Sequence, residues 1–235
     1  MELTIVIPVY NEYENINSLI NEIIATFNDT NINYQILFIN DGSTDDSYSL
    51  LKDKSKEYEF CDAIHHKKSM GQSYAVVTGV LNAKADIIAT VDGDGQNDPK
   101  DILKLYKYFN NNEIDLVIGN RINRKDTWLK RISSKVANYI RSSMLKDDTL
   151  DSGCALKVFT KDTFLKLPRF DHMHRYLPAL ILRDKGIVHS VAVNHRHRIK
   201  GKSKYGIHNR LWVGIVDLLG VKWLIKRAKN PKILQ

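Results

Sequence analysis

Four short apolar runs punctuate the first half of the chain: Leu3–Val9, Gln35–Asn40, Asp86–Val91 and Asp115–Gly119. The first is nearly continuous and rich in β-branched residues, the pattern of a strand buried on both faces, and the other three are similar. Between the first two, Ile16, Leu19, Ile20, Ile23, Ile24 and Phe27 recur at helical spacing and predict one apolar helix face. Ser43 and Asp46 stand at capping-box spacing, with Asp in place of the usual Glu or Gln, and predict a second helix carrying Tyr48, Leu51 and Tyr58. A third helix is expected through Ala75, Val76, Val80 and Leu81. A fourth opens at Asp98 as N-cap, with Pro99 in its first turn and Ile102, Leu103, Tyr106 and Phe109 following. Strands alternating with helices predict an α/β fold, a mostly parallel central sheet with helices on both faces.

After Gly119 the alternation weakens. A basic helix is expected near Trp128–Met144, a strand near Cys154–Phe159, a helix near Arg175–Lys185 and a strand near Ile187–Arg196. No Pro/Gly/Ser-rich linker and no internal repeat separates these from the first half, so one domain is expected over 1–208, followed by a C-terminal amphipathic, basic segment over 209–235. Within that segment Leu211–Ile225 is apolar but interrupted by Asp217 and Lys222, and falls short of the ~20 apolar residues that a spanning helix needs. Trp212 and Trp223 lie near its ends, with Arg210, Lys226, Arg227, Lys229 and Lys232 flanking it. That pattern suits a helix lying in a membrane interface; the alternative is a helix packed on the domain with a solvated basic tail.

The chain has 235 residues, 43% hydrophobic and 26% charged, enough to bury a core without a disulfide or metal staple, which excludes wholesale disorder. Lys+Arg 35 against Asp+Glu 27 gives +8, a bias toward anionic partners. Cys61 and Cys154 are the only cysteines and stand in no metal-ligand spacing, which fits a reducing compartment. The first residues lack a signal-peptide pattern, so a cytoplasmic location is expected. Lys67-Lys68 and Arg124-Lys125 lack the aromatic interleaving of a nucleic-acid path, and no nucleic-acid partner is expected. The pairs His172/His174 and His195/His197 have no cysteine partners and read as surface or acceptor-lining histidines rather than a zinc site.

In open α/β sheets, ligands bind beyond the carboxyl ends of the strands, where loops meet and helix N-termini point. Three of the buried runs end in polar segments: Pro8-Val9-Tyr10-Asn11-Glu12, Asn40-Asp41-Gly42-Ser43-Thr44-Asp45 and Asp92-Gly93-Asp94-Gly95-Gln96-Asn97-Asp98-Pro99. A parallel sheet brings all three to one edge. Asp92 and Asp94, two residues apart in an extended segment, can project to the same side, where their repulsion is relieved by a hard dication such as Mg²⁺ or Mn²⁺. Gly93 and Gly95 would leave room for a diphosphate, and Gln96 offers a further carbonyl oxygen. The alternative is a solvated, N-capping loop. Asp41 can accept from a base or ribose, or can simply form a turn with Gly42.

These segments resemble, in order, spacing and strand-end placement, the three signatures of glycosyltransferase family 2, specifically its dolichol-phosphate mannosyltransferase-like, polyprenyl-phosphate branch. The resemblance continues through Gly119-Asn120-Arg121, Asp151-Ser152-Gly153-Cys154 and Arg198-Ile199-Lys200-Gly201-Lys202-Ser203-Lys204-Tyr205, and so covers most of the chain. It implies a GT-A fold, a nucleotide-diphosphate sugar donor, one divalent metal, Mg²⁺ or Mn²⁺, and inversion at the anomeric carbon. Carried over by motif, Pro8, Tyr10, Asn11 and Glu12 with Asp41 would bind the nucleoside, and Asp92, Asp94 and Gln96 would hold the metal on the diphosphate. Arg121 and the Arg198/Lys204 pair would contact phosphates of acceptor or donor, while Arg131 and Ser134, with Ser203, would form the acceptor-phosphate site. Asp94 and Arg121 are the expected catalytic residues. Met70–Gly79 departs from the family in being neutral where some relatives are basic, and no phosphate contact is assigned to it.

What the resemblance implies is a single displacement, in which an acceptor oxygen attacks the anomeric carbon as the nucleoside diphosphate leaves. A lipid phosphate acceptor, with a second pKa near ~6, is largely ionised at neutral pH and needs no strong general base. The expected enzyme thus transfers a sugar to a polyprenyl phosphate at the inner face of the membrane, attached peripherally or through a membrane-protein partner. Two alternatives stand beside it: transfer to a saccharide hydroxyl, which needs a general base that the sequence does not name, and a catalytically silent nucleotide-sugar-binding protein. A nucleotidyltransferase fits poorly, because the first loop is neither glycine-rich nor basic.

Overall fold

The computed structural model describes residues 1–122, 138–197 and 207–228, with backbone alone over 207–212. Strands β1 (Leu3–Val9), β2 (Tyr34–Asn40), β3 (Cys61–His65), β4 (Ile87–Thr90), β5 (Leu116–Arg121), β6 (Lys157–Thr160) and β7 (Val188–Val193) form one sheet in the order β3-β2-β1-β4-β6-β5-β7. All pairings are parallel except those of β6, which runs antiparallel to both β4 and β5. The helices are α1 (Tyr13–Phe27), α2 (Ser47–Glu57), α3 (Gln72–Asn82), α4 (Pro99–Asn110), α5 over 138–145, α6 (Lys161–Leu165), α7 (Leu177–Arg183) and α8 (Ile207–Arg227), with a 3₁₀ turn at Met173–Arg175.

The continuous apolar runs have a direct physical reading. Successive side chains of a strand point to opposite faces. Leu3, Ile5, Ile7 and Val9 join Ile36 and Phe38 in a core beneath α1 and α4, while Val6, Leu37 and Ile39 join a second core beneath α3 and α7. Both faces are covered, so both sets of alternate positions are mainly apolar, and the buried polar pair Thr4 and Gln35 is satisfied by a mutual hydrogen bond of 2.8 Å. The predicted α1 face is buried except for Ile24, which is only partly so. On α4, Leu105 is buried where the pattern had offered the half-buried Leu103, and Asp98 caps the helix by accepting Lys100 N–H.

Several expectations need correction. Ser43 does not cap α2. The helix starts at Ser47 with Asp46 at its N-cap and no side-chain cap bond, Tyr48 is exposed and Tyr58 lies beyond the last turn. Leu81 of α3 is exposed as well. The helix expected over Arg175–Lys185 divides into the 3₁₀ turn and α7, and β6 starts at Lys157 rather than Cys154. Strand β3 and the short α6 were not foreseen.

Helix α8 passes through the boundary drawn at 208/209 and packs beside α7. Val221 is buried in the second core, Tyr176 Oη–H donates to Gly214 O at 3.3 Å, and His172 Nδ1 lies 3.0 Å from Asp217 Oδ2. Its other side carries Val216, Leu219 and Trp223 at 66%, 55% and 59% exposure. Among the described residues, no helix is long and apolar enough to cross a membrane.

Candidate active site

Strands β2, β1 and β4 are neighbours and parallel, so the three polar segments emerge side by side. The first turn is fixed to the second. Asn11 adopts a left-handed φ of 53°, donates its N–H to Ser43 Oγ at 2.9 Å and accepts Thr44 N–H at its Oδ1 at 2.7 Å. Glu12, buried, donates its N–H to Ser47 Oγ at 3.2 Å and accepts Asn15 Nδ2–H at 2.7 Å. Ser43 thus serves this long-range pairing, which is why it is not a helix cap. Tyr10 is the most exposed residue of the motif and Pro8 is half-buried. A cavity of about 410 Å³ beside the turn is walled by Glu12, Glu14, Asp45 and Asp46, a lining that disfavours a bare phosphate.

Asp41 follows β2 and is buried. Its Oδ1 accepts Met70 N–H at 2.8 Å and faces His66 Nδ1 at 2.7 Å; its Oδ2 accepts Ser69 Oγ–H at 2.7 Å and Gly71 N–H at 2.8 Å. Burial alone would raise its pKa, but these four hydrogen bonds outweigh it and hold the carboxyl below its ordinary value. Gly42 completes the clasp. Its φ is +68°, and a Cβ there would sit 2.6 Å from the backbone of Lys68 and Ser69. The Asp-Gly pair is therefore more than a turn, for it fastens the β3–α3 loop onto the end of β2.

The third segment leaves β4. Asp92 is half-buried and Asp94 is 9% exposed. Asp92 Oδ1 accepts Gln72 Nε2–H at 2.7 Å, and Asp94 Oδ1 accepts Gln96 N–H at 3.1 Å. Gly93 does not open space for a ligand as expected. A Cβ there would meet Pro8 O at 3.0 Å and Val9 Cγ2 at 3.1 Å, so its role is to seat the carboxylate loop against the end of β1. Gln96 pairs with the backbone of Arg196: Arg196 N–H donates to Gln96 O at 2.9 Å, and Gln96 Nε2–H reaches Arg196 O at 3.5 Å. Arg196 also binds Asp98 at 3.0 Å and Glu22, tying residues 194–197 to the loop.

Arg121, at the end of β5, forms a two-pronged pair with Asp151, Nε to Oδ2 at 2.6 Å and Nη2 to Oδ1 at 2.8 Å. Burial disfavours its charge, but the hydrogen bonds and charge of Asp151 prevail and raise its pKa, with Asp92 also contributing. Lys157, the one charged residue in the run expected as a strand, is buried and donates to Cys154 O; burial pushes its pKa down against the pull of Cys154, Asp92 and Asp151. His174 Nδ1 lies 2.7 Å from Ser73 Oγ, and burial pushes its pKa well down, with Lys157 adding to the effect. His174, half-buried, thus links the 3₁₀ turn to α3. Gln72, Lys157 and Arg196 were missed in the sequence; only Lys157 carried a signal, as a lone charge in an apolar run.

Pro8, Tyr10, Asn11, Glu12, Asp41, Asp92, Asp94 and Gln96 thus share the carboxyl edge of β2, β1 and β4, and Arg121 is within electrostatic reach of Asp92. Arg131, Ser134, Arg198, Ser203 and Lys204, with Arg124-Lys125, lie outside the described residues. Two rim carboxylates are hard oxygen donors, and with Mg²⁺, which keeps open positions for substrate phosphates, they make a chemically fitting pair. Among the described residues, no group of three or more His, Cys, Asp or Glu gathers as a self-sufficient metal site.

The family model described as glycosyl transferase family 2 matches residues 4–175, which includes the Pro8–Glu12, Asp41, Asp92–Gln96 and Arg121 segments. The chain belongs to glycosyl transferase family 2. Among curated relatives of this glycosyltransferase, dodecaprenyl-phosphate galacturonate synthase of Rhizobium johnstonii is 33% identical over 98% of the chain and 69% of its own length. Undecaprenyl-phosphate 4-deoxy-4-formamido-L-arabinose transferase of Enterobacter sp. is 30% identical over 87% of the chain and 62% of its own length. The chain therefore spans about two thirds of the length of the curated relatives it matches. The GT-A fold is shared with glucosyl-3-phosphoglycerate synthase of Mycobacterium tuberculosis, solved with Mn²⁺, UDP and glucosyl-3-phosphoglycerate. The TM-score is 0.72 at 16% identity, over 97% of this chain and 81% of that one.

Proposed function

We propose that this family 2 glycosyltransferase moves a sugar from a nucleoside diphosphate to a polyprenyl phosphate, with inversion, using Mg²⁺ or Mn²⁺. The observation that carries the reading is the meeting of the Pro8–Glu12, Asp41 and Asp92–Asp94 segments on three adjacent parallel strands. The acceptor class is supported by the printed names of relatives that act on dodecaprenyl and undecaprenyl phosphates.

In this reading Pro8, Tyr10, Asn11 and Glu12 frame the nucleoside, with Asp41 fixing the loop that closes its side. Asp92 and Asp94, with Gln96, would hold the cation, which when bound offsets the charge of the departing diphosphate. Arg121, oriented by Asp151, presents a guanidinium near Asp92 for an acceptor or donor phosphate, the task for which a planar fork is suited. Arg198 and Lys204 are proposed for the donor side, and Arg131, Ser134 and Ser203 for the acceptor phosphate. An ionised acceptor phosphate attacks without a strong base.

Residues 1–208 would form the catalytic unit. The exposed Val216, Leu219 and Trp223, bordered by the exposed Lys222, Lys226 and Arg227, support peripheral contact between the 209–235 segment and an anionic bilayer at the cytoplasmic face.

Incubating the protein with a panel of nucleotide sugars, a polyprenyl phosphate and Mn²⁺ tests the reading. An acid-labile glycolipid is expected, with no product on a saccharide hydroxyl run in parallel. Product on the hydroxyl acceptor alone would replace the acceptor class, and no transfer under any condition would favour a silent binding protein.

A further inference from the structure

The β3–α3 loop does something that neither the motifs nor the relatives assign: it joins the ends of β2 and β4, two strands that β1 separates. At one end, Met70 N–H, Gly71 N–H and Ser69 Oγ–H are spent on Asp41. One residue later, Gln72 donates its side-chain amide to Asp92 Oδ1 at 2.7 Å. On the far side, Ser73 is held by His174, whose N–H and Nδ1 lie 3.3 and 2.7 Å from its Oγ. Gln72 is therefore bracketed at both neighbours, by the clasp on the buried Asp41 before it and a half-buried serine–histidine contact after it. From its first-turn position on α3 the half-buried side chain brings its amide to Asp92.

We propose that Gln72 is a positioning residue for the metal carboxylate Asp92. The inference rests on the reading of Asp92 as a metal ligand and deepens it. The chemistry explains why a neutral amide is suited to this place. An N–H from an uncharged donor orients a carboxylate without that donor taking any of the negative charge it offers to a dication. A lysine in the same place would orient Asp92 equally well but would neutralise it, and would compete with the ion. A carboxylate there would repel Asp92 in the absence of metal and add a hard oxygen donor in its presence. The sign of the effect thus depends on charge at residue 72, which a merely structural role for the side chain would not produce.

The test is Mn²⁺ binding, read by loss of the free-ion electron paramagnetic resonance signal, in separate titrations with UDP, GDP, CDP or ADP. Wild type is compared with Gln72→Ala, Gln72→Lys and Gln72→Glu, and far-ultraviolet circular dichroism and thermal melts check that each variant is folded. Expected is weaker Mn²⁺ binding by a few-fold in Gln72→Ala, by roughly tenfold or more in Gln72→Lys, and equal or tighter binding in Gln72→Glu. Opposite signs for Lys and Glu among folded variants decide the matter, and if neither folds, retention of wild-type affinity in Gln72→Ala overturns the proposal. Equal affinity in all folded variants, or equal loss in Lys and Glu, overturns the proposal while leaving Asp92 as a ligand. Failure of wild type to bind Mn²⁺ with any of the four nucleotides removes the reading of the site and this inference with it.

Discussion

Arg121 reaches Asp151 through two parallel bonds of 2.6 and 2.8 Å, and Nη1 takes no part in that pair. Both partners are mostly buried, with side chains 17% and 7% exposed. Removing one of them leaves a mostly buried charge without its two-pronged partner, which costs up to about 3–5 kcal/mol. Arg121→Ala and Asp151→Ala should therefore each lower the urea midpoint strongly, with the double variant losing less than the sum. Arg121→Lys cannot rebuild the fork and should retain stability only in part. Additive losses in the double variant would show that the pair is not coupled.

Asp41 makes stability depend on acid. Its folded pKa lies below the ordinary value, so its contribution is fully present above the unfolded pKa, near ~3.9, and is lost as pH falls through the folded one. The gap in unfolding free energy between wild type and Asp41→Asn should be constant from neutral pH down to about 5 and then narrow below about 4. Urea titrations across that range measure it. A gap that widens in acid would contradict the depressed pKa.

How much of this was legible in the sequence depends on whether a feature is local. Strands β1, β2 and β4 could be read because both faces are buried and the runs are unbroken. Strand β3 could not, since as an edge strand it carries Asp62 and His65 among half-buried positions and shows no apolar run. Ser43 had cap-like spacing, but its partner is Asn11, 32 residues earlier, and spacing along one segment cannot reveal that bond. The three loops of the site were found because each follows a strong strand. The contacts that orient them, Gln72 to Asp92 and Arg121 to Asp151, span 20 and 30 residues and exist only once the sheet has assembled. Gly93 illustrates the same limit, since its missing side chain makes room for Pro8 rather than for a ligand.

Helix α8 gives a prediction separable from chemistry. Its exposed Leu219 and Trp223 stand four residues apart, on one side of the helix, with Val221 turned into the core. Replacing both by Ser should reduce sedimentation with phosphatidylglycerol vesicles by several-fold while leaving the thermal midpoint nearly unchanged, since neither side chain is buried. Wild-type protein that does not sediment with such vesicles, at low salt, would leave the helix as a packing element only.

The central claim is that Asp92 and Asp94 make nucleotide binding depend on a dication, and isothermal titration of UDP, GDP, CDP and ADP with and without Mn²⁺ tests it most directly. At least one nucleotide should bind wild type at least about tenfold more tightly with Mn²⁺ than without, a gain of ~1.4 kcal/mol, and Asp94→Asn should abolish that gain while leaving the metal-free affinity in place. Nucleotide affinity that is the same with and without Mn²⁺ in wild type, or a Mn²⁺ gain that survives intact in Asp94→Asn, would contradict it.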